Sequence, residues 1–179
     1  MARTIDPVAE ASAYQRMLLD ALGDDDPADV QSSRPASVRA LVAEAAGLLR
    51  ARPAAGEWSV VECVGHLCDA EIVASSRDRW IVAHDEPAIA GYDQERWASR
   101  LRWIEPDVDL EAELPRPFEV MRRANVALWR RLPIEDRPRL GMHTERGPES
   151  YERTFRLLAG HDRIHLAQAR QALDAVRGR

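Results

Sequence analysis

Between Tyr151 and Val176 the apolar residues return every three or four positions. Leu157, Leu158, Ile164, Ala169, Ala172 and Val176 share one arc of a helix, and Glu152, Arg156, Arg163, Arg170, Asp174 and Arg177 share the opposite arc. A helix of this length with one apolar stripe has to lay that stripe on other helices. The stripe also carries two imidazoles one turn apart, His161 and His165. Side chains at i and i+4 stand roughly 5–6 Å apart at Cβ, close enough for both rings to reach one ion. From the residues alone two readings stand: a pair of metal ligands, or two core histidines satisfied by hydrogen bonds to neighbours, as burial of an unpaired polar group demands. The residues between them are Asp162, Arg163 and Ile164, so the H-E-x-x-H pattern with its built-in glutamate base is not present.

The rest of the chain repeats the helical signal. Tyr14, Met17, Leu18 and Leu22 suggest a first helix near Val8–Leu22, stopped by the acidic stretch from Gly23 to Pro27. Val38, Leu41, Val42, Ala45, Leu48 and Leu49 predict a second, ending before Pro53 and Gly56. A third is expected from Ser59 to about Ala83. Ser59 with Glu62 three residues on forms a capping box, and Trp58 before it forms a staple. A further helix is expected from Pro117 to Leu132, with Met121, Ala124, Leu128 and Leu132 inward, and Ser150 caps the last. Alternating strand patterns are nearly absent.

The 179 residues suit one domain, with residues 1–36 as a helical segment and acidic linker packed on a bundle formed by residues 37–179. With Asp+Glu 30 against Lys+Arg 25, the net charge of -5 gives no basic patch for nucleic acid. No run spans a bilayer and no signal peptide precedes the first helix, so a cytoplasmic protein with no membrane partner is expected. Cys63 and Cys68 diverge on one helix and are expected to be free thiols. The connection from His84 to Arg116 is long for a compact domain. It is expected to hold a short helix near Asp93–Leu101, and its aromatic residues Tyr92, Trp97 and Trp103 either cover one end of the bundle or line a substrate pocket.

On the third predicted segment, Cys63, His66, Leu67, Ala70, Val73 and Ala74 share a face, and His66 is its one strongly ligating nitrogen. Val60, Val61, Val64 and Ile72 make a second apolar arc, so this helix is expected to be central and to touch the N-terminal segment too. The run Glu57-Trp58-Ser59-Val60-Val61-Glu62-Cys63-Val64-Gly65-His66-Leu67-Cys68-Asp69-Ala70-Glu71, with Gly160-His161-Asp162-Arg163-Ile164-His165-Leu166-Ala167-Gln168 far downstream, resembles the DinB superfamily over roughly Ser37 to Val176. The resemblance implies an all-α four-helix bundle with an extra N-terminal helical segment and a long connection between its second and third helices. It implies that His66, His161 and His165 bind a divalent metal at one end of the interior, zinc or nickel by the chemistry of imidazole.

The family includes transferases that use low-molecular-weight thiols of the mycothiol or bacillithiol type, so the resemblance implies a thiol transferase acting on a small molecule. Three imidazoles with a fourth position open to water or thiol serve that chemistry and serve hydrolysis equally. A non-catalytic metal-binding or interaction module is the rival from another class. Glu62, Asp69 and Gln168 are candidates to hold the ligands or the substrate. Cys63 is a candidate fourth ligand, although a small buried hydrophobe is the simpler role. His84 and His143 fall in loop-like contexts and are expected to be exposed, and a helical bundle of this kind can pair as a homodimer.

Overall fold

The computed structural model describes residues 7–106 and 113–178. Part of the 84–116 connection, residues 107–112, therefore lies outside the described residues. Helices dominate: α1 (Pro7–Leu22), α2 (Pro27–Ala45), α3 (Val60–Ala83), a short α4 (Gln94–Leu101), α5 (Pro115–Arg131) and α6 (Tyr151–Arg177). α2, α3, α5 and α6 form the four-helix bundle, and α1 lies along α6. No described helix is long and apolar enough to cross a membrane.

The helix starts follow from capping chemistry. Glu62 accepts hydrogen bonds from the Ser59 backbone N–H at 2.9 Å and from its hydroxyl at 2.8 Å, which closes the predicted box at the head of α3. Ser150 Oγ accepts from the Arg153 N–H at 3.1 Å and starts α6. Asp93 does the same for α4 through the Arg96 N–H at 3.0 Å. The bundle's first helix begins earlier than its apolar pattern: Asp26 caps it, Pro27 opens it, and Pro35 is accommodated inside it. One core gathers Val38, Leu41, Val61, Val64, Leu67, Phe118 and Leu173, and a second gathers Ile81, Ile89, Val126, Trp129, Tyr151 and Phe155.

Four expectations change. First, three short strands exist: β1 (Ala88–Ile89) runs parallel to β2 (Leu140–His143), which pairs antiparallel with β3 (Gly147–Ser150). Strands of this length are too brief to show an alternating pattern. Second, β2 turns every other residue inward, so His143 is buried at 3 % exposure, whereas His84 is exposed as expected. Third, the inner face of α5 is Phe118, Arg122, Asn125, Val126, Leu128 and Trp129, while Ala124 is exposed. The helix is rotated because Arg122 donates inward to Glu71 on α3 and Asp162 on α6. Fourth, α3 packs on α6, α5, α4 and α2, and the space between α1 and α3 is a cavity.

Asp78 on α3 is buried and accepts from the Thr154 hydroxyl at 3.3 Å. Burial, with Glu71 nearby, pushes its carboxyl up to about 8. A carboxyl whose native pKa is raised holds its proton in the folded protein after the unfolded chain has lost it, so stability falls as pH climbs from about 4 to about 8. Asp78→Asn keeps the neutral form at every pH. The variant is expected to flatten this slope and to be the more stable protein at pH 8 by a few kcal/mol, on the order set by the linkage relation. Thermal melts of both proteins from pH 5 to 8 check it, and parallel slopes would contradict it.

Candidate metal centre

His66 on α3 and His161 and His165 on α6 come together in the interior, each with under a tenth of its surface exposed. One ligating nitrogen from each lies within 4.8 Å of the others. The rings approach to 4.9, 4.4 and 4.3 Å between centroids, and His66 Nε2 stands 2.9 Å from His161 Nε2. Imidazole nitrogens about 2.0–2.1 Å from a common tetrahedral ion lie roughly 3.3 Å apart, so the observed set needs only a small adjustment to hold one.

Protonation agrees with the spacing. Burial holds His66 down to about 3, drives His161 well below its ordinary value, and lowers His165. All three are neutral at pH 7, the form that donates a lone pair. His165 Nδ1 donates to Gln168 Oε1 at 2.9 Å, so its proton sits on Nδ1 and the lone pair of its Nε2 is left available. His161 Nδ1 is buried without a partner, so hydrogen bonding within the protein does not account for this ring in full.

The other candidates divide. Gln168 touches His165; Glu62 is engaged by Ser59 and Arg52; Asp69 accepts from Trp103 Nε1 at 2.9 Å. Cys63 lies in the core, with its thiol pushed up to about 12 by burial, and is outside the three-histidine cluster. Cys68 donates to the Leu114 carbonyl oxygen at 3.0 Å. Both are free thiols. The connection both covers and lines. Trp103 lies against Gly65, where a Cβ would come within 2.4 Å of the ring, and Tyr92 packs 6.4 Å from His66 while lining the cavity. Trp58, the staple residue, meets His66 edge-on at 5.2 Å and stacks on His165 at 6.3 Å.

The cavity has a volume of about 360 Å³ and opens between α1, α3 and α6 onto His161. Sequence reasoning did not reach Gln15, Arg77, Arg146 and Glu149 in its wall, since they come from separate elements with no shared spacing.

Two proteins of Oceanobacillus iheyensis, each named a "putative metal-dependent hydrolase", are similar to this chain, at 29% identity over 119 residues and 28% over 112. The matches cover 66% and 63% of this chain and the same shares of those relatives. A protein of Geobacillus thermodenitrificans with the same description is 37% identical over 59 residues, 31% of this chain and 33% of that one. Among solved structures, YfiT from Bacillus subtilis, described as "a probable metal-dependent hydrolase with an unusual four-helix bundle topology", superposes with a TM-score of 0.74 at 22% identity. That superposition covers 85% of this chain and 86% of YfiT, and it establishes the shared fold. The DinB superfamily profile matches residues 29–169, most of the chain and all three clustered histidines, and this protein belongs to the DinB superfamily.

Proposed function

We propose that this chain is a divalent-metal-dependent enzyme that transfers a low-molecular-weight thiol to a small electrophile, with His66, His161 and His165 holding zinc or nickel. The observation that carries the reading is the convergence of three buried neutral imidazoles on one point beside an open cavity. When bound, a divalent ion there supplies Lewis acidity and lowers the pKa of the water or thiol in its remaining position.

The protein's own groups do the rest. Gln168 fixes the tautomer of His165, and Trp58 holds two of the rings edge-on and face-on. The cavity walls beside His161 are Leu18, Leu157 and Leu158, an apolar surface that suits a soft nucleophile. Burial keeps the Tyr92 phenol protonated, so it offers an O–H donor to a bound molecule. Asp162, beside His161 in sequence, is engaged by Arg122, and Glu62 and Asp69 by Arg52 and Trp103. A thiol, acidic already near pH 8.5, has less need of a general base than water has. Both cysteines of the chain are buried with thiols at about 12, so the nucleophile comes from solution. Hydrolysis is the second reading, favoured by the descriptions of the relatives.

The test is metal content by elemental mass spectrometry on protein purified without a metal-affinity column, beside His161→Ala. Near-stoichiometric metal in the wild type and its loss in the variant are expected. Wild-type protein that carries no metal and takes up neither added zinc nor added nickel overturns the reading. With metal established, thiol consumption over a panel of electrophiles, run beside ester cleavage without thiol, separates transfer from hydrolysis.

A further inference from the structure

The cavity has two chemically different ends. One is His161. The other carries Arg77, Arg146 and Glu149. Arg77 follows His66 by eleven positions on α3, close to three full turns, so both project from the same face about 16 Å apart along the axis. Ala70, Val73 and Ala74 occupy the same face between them, and their small side chains leave the space open. α6 runs the opposite way, with Thr154 level with Asp78 through their hydrogen bond, and Leu157 and Leu158 leading from there to His161.

Among the described residues that line it, the far end has one positive charge in excess. Arg146 and Glu149 neutralise each other through a two-point contact, Nε to Oε1 at 2.6 Å and Nη2 to Oε2 at 2.8 Å. Among the described residues Arg77 makes no ion pair: it donates to the Ala90 carbonyl oxygen through Nε at 3.1 Å and through Nη2. A half-buried guanidinium with only a carbonyl partner still has donors to offer. A second observation points the same way. His143 Nδ1 accepts from the Glu145 N–H at 3.1 Å, which puts the proton of the neutral ring on Nε2. That nitrogen is buried without a partner, and the ring lies close enough to feel Arg77, Arg146 and Glu149. A guanidinium with donors to spare on the cavity wall, and an unpartnered imidazole N–H buried near it, suit an acceptor that carries negative charge.

We propose that the Arg77 end of this cavity binds the carboxylate of an elongated monoanionic substrate, whose apolar chain runs along Ala70, Val73 and Ala74 and whose reacting group reaches the three histidines. This deepens the functional reading above and rests on it for the reacting end. One uncompensated guanidinium matches one negative charge, and a carboxylate matches the planar fork that remains.

The test is a titration of the full-length protein, with its metal as purified, against butanoate, hexanoate and octanoate and against the matched primary alcohols, followed by tryptophan fluorescence. The acids are expected to bind more tightly than the alcohols, with affinity rising along the series. Arg77→Gln is expected to erase the preference by about tenfold or more. Arg77→Lys retains part of it, and Ala74→Leu, which fills the middle of the cavity, weakens acids and alcohols alike. Metal content and helical circular dichroism of each variant are measured in parallel. Equal binding of acid and alcohol by the wild type overturns the proposal, as does an acid preference that survives Arg77→Gln. An acid preference that survives that change and disappears on chelation places the carboxylate on the ion, against this proposal and in favour of the metal reading. An Arg77-dependent preference in protein without metal supports the anion site while the metal reading fails.

Discussion

Replacing Arg122 with methionine is expected to lower the unfolding free energy by about 3–5 kcal/mol, the scale for removing one partner of a buried ion pair. Arg122 is 1 % exposed and joins three helices, with Nε donating to Glu71 at 2.8 Å and Nη2 to Asp162 at 3.1 Å. Asn125 adds a hydrogen bond to Glu71 at 2.6 Å. Methionine fills much of the volume yet leaves two buried carboxyl groups facing each other. Burial already raises the Glu71 carboxyl, and Arg122 opposes that rise. Without the arginine it rises further, and a raised native pKa stabilises at low pH and loses that contribution as pH climbs. The deficit is therefore expected to be smaller at pH 5 than at pH 8. Urea unfolding at both pH values reads this, with a fall in Tm of about 10 °C alongside. The triple variant Glu71→Gln, Arg122→Met, Asp162→Asn is expected to recover a large part of the loss, since it removes charge and partner together. A loss below about 1 kcal/mol with no pH dependence would count against the buried network as a determinant of stability.

The second large effect is expected at Gly160. A Cβ built there lies 1.8 Å from the carbonyl oxygen of Leu18, which is backbone of α1 and has no rotamer by which to yield. Gly160→Ala therefore has to push α1 off α6. Leu18 and Leu22, at 4 % and 0 % exposure, lose their cover, and Tyr14, Gln15 and Leu18 leave the cavity wall. The expected cost is about 3 kcal/mol, at the upper end of what overpacking usually imposes. Amide hydrogen exchange should rise selectively over residues 12–22, with α2, α3 and α5 little changed. Uniform exchange, or an unchanged melting temperature, would mean that α1 does not depend on this contact.

These sites mark the boundary of what was legible beforehand. The helices of the bundle and the capping box at Ser59 and Glu62 follow from local patterns, which a short window of sequence contains in full. His161 and His165 are legible as a pair because their spacing lies within one helix. His66, 95 positions away, joined them through its apolar face and through the family resemblance. Arg122, Asn125, Asp162 and Glu71 could not be read so. Each looks like a surface residue of an amphipathic helix, and each is inside because its partners come from other helices. The burial of His143 escapes the sequence for a related reason: four-residue strands have no period of their own, and β2 is held by the pairing that β1 and β3 supply.

What the sequence determined by itself is the helical class, the caps, and the placement of His161 and His165 on one face of a helix, because period and cap are properties of neighbouring residues. What only the tertiary structure decided is the company those residues keep. Three neutral rings meet at one point, a guanidinium at the far end of the same cavity makes no ion pair among the described residues, and a glycine lets one helix lie on another. Such facts depend on distances between elements, and distance across a fold leaves no spacing in the chain that carries it.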